Sequence, residues 1–315
     1  MNYAVKDLQK KWQQSIVHQV FDWKDERGRG RFCVMMSGLL SSMVGQMVNG
    51  LFLTSFLLLY GMDKSEIGIL TFIPYLASLL NVFSPTLLER FQKRRGLLIG
   101  MRLFYYLVNI LGITILPTVV KDSEARILGF VVLVFLANAV NQLASSGWTV
   151  WTAEFLPEEI RVDYFQVTTC IQNAFIWVFA LGISFLGDRV SGTEHELILL
   201  TVVRYSALIL AALDCLIWLI PKEYPYASRE RIKLSNIFLL PMRQKKFLIT
   251  SLLVAGYYFS ASFASGTLTA YLLQDVGVSY SLVNGINAVY FAFFFFLSGF
   301  WKKFVVKHYW YKALA

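Results

Sequence analysis

Three ionisable side chains, Arg102, Arg204 and Asp214, stand inside long apolar stretches of this sequence. A charge at such a place costs about 2.5 to 3.5 kcal/mol on insertion scales, so it marks a coupling proton, a solute charge or a buried partner. Arg204 and Asp214 share one stretch but lie ten residues apart. They therefore sit on different faces of a helix and do not pair within it. Arg204 is about 8 residues from the end of its run, within reach of its own stem at 1.5 Å per residue, so snorkelling or local pairing is expected. Around these charges run stripes of neutral polar residues at three- and four-residue steps. The stripes are Ser42, Gln46 and Asn49; Asn138, Asn141, Gln142, Ser145, Thr149 and Thr152; Thr169, Gln172 and Asn173; and Asn284 with Asn287. Such groups either bind a solute in a wet cavity or tie helices together, the latter being worth about 0.6 kcal/mol per contact.

The elements that position them are apolar runs. Hydrophobic residues make up 57% of the 315-residue chain and charged residues only 16%, against about 25% charged in soluble domains. Uncharged runs at Cys33–Met62, Ile67–Leu88, Ile127–Ala153, Tyr164–Gly187, Phe247–Gln274 and Val276–Trp301 each exceed the membrane requirement, which is about 20 residues. Gly96–Val120 and Leu197–Ile220 join them apart from Arg102, Arg204 and Asp214. Eight spanning helices and an all-α polytopic membrane fold are expected. The runs do not alternate as a β-barrel requires.

The net charge of +9 is laid out by side. Segments 1–32, 89–95, 154–163, 222–246 and 302–315 hold 23 Lys and Arg, whereas the opposite connections hold only Lys64, Lys121, Arg126 and Arg189. This bias places both termini in the cytoplasm. Attraction to anionic lipid then accounts for the basic charge without nucleic acid. Residues 5 to 21 put Val5, Leu8, Trp12, Ile16 and Val20 on one face, a pattern for a helix lying on the membrane surface. Trp148, Trp151, Trp301 and Trp310 are expected to be interfacial anchors, and Phe291–Phe296 to be lipid-facing or packed.

Neither enzyme chemistry nor a metal site is expected. The sequence holds no HExxH, no paired interfacial carboxylates and no Ser/His/Asp set. His18, His195 and His308, like Cys33, Cys170 and Cys215, are scattered. No cofactor is implied.

A repeat is visible. "LTSFLLLYGMDKSEIG" from Leu53 matches "LTAYLLQDVGVSYSLVN" from Leu268, and "ERFQKRRGLL" from Glu89 matches "VKHYWYKAL" from Val306, at offsets of 215 to 217 residues. Both copies start on the cytoplasmic side, as in transporters built from parallel six-helix halves. Here the sequence resembles the major facilitator superfamily. Its motif G-x-L-x-D-R-x-G-R-R-K, between the second and third helices, is approached by "PTLLERFQKRRGLL", with Pro85 and Gln92 in place of two glycines. "WTVWTAEFLPEEIRVDYFQ" is similar to the family's loop between the fourth and fifth helices, through Glu154, Pro157 and Arg161.

The resemblance implies a secondary transporter moving a small solute, with or without a coupling ion, through the cell membrane. It implies residues 1–32 as a cytoplasmic segment, 33–221 as a first six-helix bundle, 222–246 as a linker, and 247–315 as the first two helices of a second bundle. Glu89, Arg90, Arg94 and Arg161 would form a cytoplasmic latch. Ser42, Gln46, Asn49, Asn138, Asn141, Gln142, Ser145, Gln172 and Asn173 would line a solute cavity. The family needs twelve helices, so the chain is expected to be truncated at Ala315 and not to transport alone. A non-transporting interaction or regulatory protein is the alternative, although no required protein partner is evident. The polar amides favour a neutral or zwitterionic solute.

Overall fold

The computed structural model describes residues 20–224, 243–263 and 265–308. Its elements, in chain order, are helices α1 (Glu26–Leu59), α2 (Lys64–Leu88), α3 (Arg95–Val119), α4 (Ser123–Ala153), α5 (Glu158–Val190) and α6 (His195–Ile217), then α7 (Lys245–Phe263), α8 (Ser265–Gln274) and α9 (Tyr280–His308). No strand occurs among the described residues. The surface helix expected over residues 5 to 21, most of the linker at 222–246, and Trp310 fall outside the described ranges.

The starts of the helices are written in aspartates. Asp25 accepts the N–H groups of Arg27 and Gly28 at the head of α1. Asp63 forms a capping box with Glu66 on α2, and Asp122 accepts from Ala125 on α4. Each satisfies donors that a helix start leaves open. The Glu66 N–H and the Ser65 hydroxyl hold the Asp63 carboxyl below the usual carboxylate range. That cap is therefore present at neutral pH and is lost only as pH falls through the lowered value.

Three helices are not regular. In α1 the helix stops at Val48, Asn49 is extended (φ −124°, ψ −176°), and a second segment runs Gly50–Leu59. Gly50 takes φ +55° there, a left-handed conformation that favours glycine. In α2, Pro74 precedes a 3₁₀ stretch at Leu79–Phe83. In α3, Val108–Gly112 forms a π turn.

Helix α1 packs between α5 and α6, and α4 covers α2 and α3. Helix α8 lies against α2 and the second segment of α1, while α9 lies along α5. The main core joins α1, α2, α3, α4 and α6 through Phe56, Ile67, Ile110, Phe130 and Ala207, all fully buried. Among the described residues, seven helices are long and apolar enough to cross a membrane: α1 to α6, and Tyr280–Leu297 within α9. The expected span Phe247–Gln274 falls on α7 and α8, and residue 264 between them lies outside the described residues. On α9, Phe293, Phe295 and Phe296 are exposed, in keeping with a lipid-facing segment.

The basic connections gather at one end of the bundle. There Arg31 is buried and donates to Val20 O (2.5 Å) and Phe155 O (3.2 Å), joining the segment before α1 to the α4–α5 loop. Tyr164 Oη closes the contact on Arg31 O at 3.2 Å. Glu223 Oε1 accepts the Arg94 and Arg95 N–H groups at 2.5 and 2.9 Å, which caps α3 from the far side of α6. The tryptophans here are not the expected lipid anchors. Trp148 and Trp151 lie 4.5 and 4.8 Å from Trp218 on α6, centroid to centroid, and pack into the bundle. Gly28 is pressed against the turn before it, with a Cβ placed there falling 1.9 Å from Asp22 O. Gly28→Ala must shift backbone, and thermal unfolding is expected to show a loss of about 1 to 3 kcal/mol.

Candidate functional site

The three irregular helices meet at one place. A cavity of about 400 Å³ is lined by Asn49 and Gly50 at the break in α1, by Pro74 and Tyr75 on α2, and by Tyr105 and Asn109 on α3. Asn138, the central residue of the 31-residue α4, and Thr269 of α8 complete its polar lining with Thr54 and Thr71. Leu53, Leu70 and Val134 supply an apolar wall. Its volume is at the small end of ligand sites, which run from about 300 to 1,000 Å³. Asn109 Nδ2 donates to Asn49 Oδ1 at 3.2 Å and lies 3.4 Å from Tyr105 Oη, so α1 and α3 are joined across the lining. Asn138 Nδ2 donates to Val134 O at 2.8 Å.

Arg204 explains how the backbone tolerates these interruptions. It does not snorkel: it is 1% exposed. Its Nη1 donates to Val48 O at 3.0 Å, its Nη2 to Asn109 O at 2.7 Å, and its Nε to Thr114 Oγ1 at 2.8 Å. Val48 is the last residue before the break in α1, and Asn109 lies in the π turn of α3. One planar guanidinium therefore supplies donors to carbonyls where two helices depart from regular hydrogen bonding. Its charge also faces the negative C-terminal end of the first α1 segment, and Phe56 covers it at 5.1 Å.

Asp214 and Arg102 pair between helices. Asp214 is 0% exposed. It accepts from Arg102 Nε, Tyr106 Oη and Ser37 Oγ, each at 2.5 Å. Ser37 in turn accepts from Trp218 Nε1 at 2.6 Å, and the Arg102 guanidinium lies 5.0 Å from the Trp148 ring centre. A carboxylate this buried requires such a full set of donors. Arg102 also lines a second cavity of about 260 Å³ with Ser41, Gly45, Tyr105, Tyr106 and Asn141. Tyr105 borders both cavities, the second lying toward the basic end.

The expected cavity residues divide. Asn49 and Asn138 line the first cavity and Asn141 the second. Gln172 does neither: its Nε2 donates to Met35 O at 2.8 Å and crowds Gly38, fastening α5 to α1. Asn173 donates to Thr169 O within α5 at 2.9 Å, and Ser145 donates to Asn81 on α2 at 2.5 Å. Ser42, Gln46 and Gln142 are half-buried and border neither cavity. At the basic end, Glu89 is half-buried and Arg90 exposed. Arg161 reaches Leu156 O at 3.3 Å, and the Arg94 side chain reaches Phe91 O at 3.0 Å. Sequence reading missed Tyr105, Asn109, Thr54 and Thr269 as lining residues. The signals that could have found them are the Asn-Gly step at Asn49–Gly50 and a lone asparagine in an apolar run at Asn109.

At the end opposite the basic connections, α9 is fastened to the first six helices. Asp188 of α5 accepts the Tyr280 and Ser281 N–H groups at 2.7 and 3.1 Å. Tyr280 is 3% exposed. Its hydroxyl donates to Glu196 of α6 at 2.6 Å and meets Ser55 of α1, while its ring stacks on Phe52. Glu196 also accepts the Gly192 N–H at 2.7 Å, and Lys64 pairs with Asp275. Tyr280→Phe removes one donor from a buried carboxylate. Thermal unfolding is expected to show a loss of about 1 to 3 kcal/mol.

Long apolar helices crossing one bundle, with an outward apolar surface and polar groups turned to interior cavities, define a multi-pass helical membrane protein. No protein-family model matches the chain, and neither does any curated protein or solved structure.

Proposed function

We propose that this chain takes part in moving a small solute across the cell membrane by alternating access, with the cavity between Asn49, Asn109 and Asn138 as the binding site. One observation carries the reading. The break in α1, Pro74 inside α2 and the π turn in α3 all border the same cavity. Within a membrane, irregular backbone is tolerated where it is buried or lines a cavity, and broken helices at mid-depth build the solute sites of secondary transporters. The major facilitator resemblance of the Pro85–Leu98 segment points the same way, with the basic end cytoplasmic.

The test is a thermal-stability screen of the purified chain against a solute library, followed by counterflow in proteoliposomes for each stabilising solute. The expected result is a solute whose stabilisation disappears in Asn109→Ala and Asn138→Ala. Exchange abolished by the same substitutions would show that these helices move the solute by themselves, and stabilisation without exchange that they bind it without moving it. Stabilisation indifferent to both substitutions would move the site elsewhere.

A further inference from the structure

We infer that the cavity takes an uncharged solute that hydrogen-bonds through hydroxyl or amide groups, an inference that rests on reading this cavity as the solute site. Its polar lining is made of carboxamides, threonine hydroxyls and tyrosine phenols, with no ionised side chain among the residues that border it. Carboxamides and hydroxyls both donate and accept. They therefore match alcohols and amides, which present both kinds of group. A carboxylate needs donors alone and an ammonium needs acceptors alone.

The nearby charges are already engaged. Arg102 faces the second cavity and is held by the Asp214 carboxylate. Arg204 directs its nitrogens at Val48 O, Asn109 O and Thr114 Oγ1, and it does not border the cavity. A charged solute would thus give up its hydration with no opposite charge to meet, the arrangement that low-dielectric sites penalise most. The wall of Leu53, Leu70 and Val134 asks further for one apolar face on the solute. The class is a small neutral molecule with polar groups along one side.

The electrostatic preference can be read without knowing the solute. Asn138→Cys and Thr71→Cys, each in the full chain in detergent, are reacted with three methanethiosulfonates of similar size. One bears a neutral hydroxyethyl group, one a sulfonate and one a trimethylammonium. Rates are normalised to those with a free thiol, and the unsubstituted chain with its three native cysteines is the control. The neutral reagent is expected to modify both positions about tenfold or more faster than either charged one. A sulfonate reacting as fast as the neutral reagent would show that the Arg204 charge and the start of the second α1 segment set the field. That result overturns the solute class while leaving the site in place. An ammonium reacting as fast overturns the class equally. Labelling seen only after denaturation would show a cavity closed to solutes, which overturns the class and the binding-site reading together.

Discussion

Replacing Asp214 by asparagine is expected to lower the stability of the folded bundle by about 3 to 5 kcal/mol, the cost of leaving one buried charge without its partner. Asparagine keeps the shape, so little is lost in packing, but its one oxygen can accept from Ser37 or from Tyr106 and not from both, because they reach different oxygens of the carboxylate. What disappears is the negative charge 2.5 Å from Arg102 Nε. Arg102 then remains a cation beside the Ser37 hydroxyl at 3.3 Å and the Tyr106 and Trp148 rings. Ring faces attract a cation by about 0.5 to 2 kcal/mol, less than the carboxylate supplies. Denaturation of the detergent-solubilised variant reads the loss, and a double substitution separates charge from packing. Arg102→Leu with Asp214→Leu should recover much of the stability, because replacing a buried pair with apolar side chains is often neutral or better. The two sites would then show strong coupling in a double-mutant cycle. A loss under about 1 kcal/mol for Asp214→Asn alone would mean that Arg102 reaches water or another acceptor.

Arg204→Leu has the second large effect, by a different route. No carboxylate is orphaned; instead Val48 O, Asn109 O and Thr114 Oγ1 each lose a donor. An unsatisfied buried polar group costs about 1 to 3 kcal/mol, and the three are not additive, so a total loss of about 3 kcal/mol or more is expected. Arg204→Lys should rescue little, since an ammonium is a compact point and cannot spread across three separated acceptors. The location of the damage distinguishes this from a general weakening. Hydrogen exchange should rise first around Asn49–Phe52 and Val108–Thr114, where the two irregular backbones lose their support. Uniform acceleration across all helices would argue against this role.

The helices were legible because length and apolarity suffice for them. Six of the predicted runs fall on α1 to α6 with every end within seven residues, as Ile67–Leu88 does on Lys64–Leu88. Partners were not legible, because a stripe shows which residues share a face but not what that face meets. Gln172 reads like Asn138 in the sequence, yet one fastens α5 to α1 and the other borders a cavity. The Arg102–Asp214 pair was hidden for the same reason. Its two members lie in different helices, 112 positions apart. For Arg204, distance to the helix end leaves snorkelling and local pairing both open, and the structure shows local partners. That distance carries no sign of the carbonyls that open where α1 and α3 lose regularity, nor of the Thr114 hydroxyl beside them.

Arg204 also makes three distant positions a single heritable unit. Its value depends on the interruption after Val48 and on the π turn at Asn109, and each interruption depends on it. A lineage that loses the arginine first passes through an ancestor with orphaned carbonyls, and one that straightens α1 first strands a buried cation. Gains and losses at these places should therefore coincide on a family tree. Descendants with an unbroken first span should lack arginine at the matching place in the sixth.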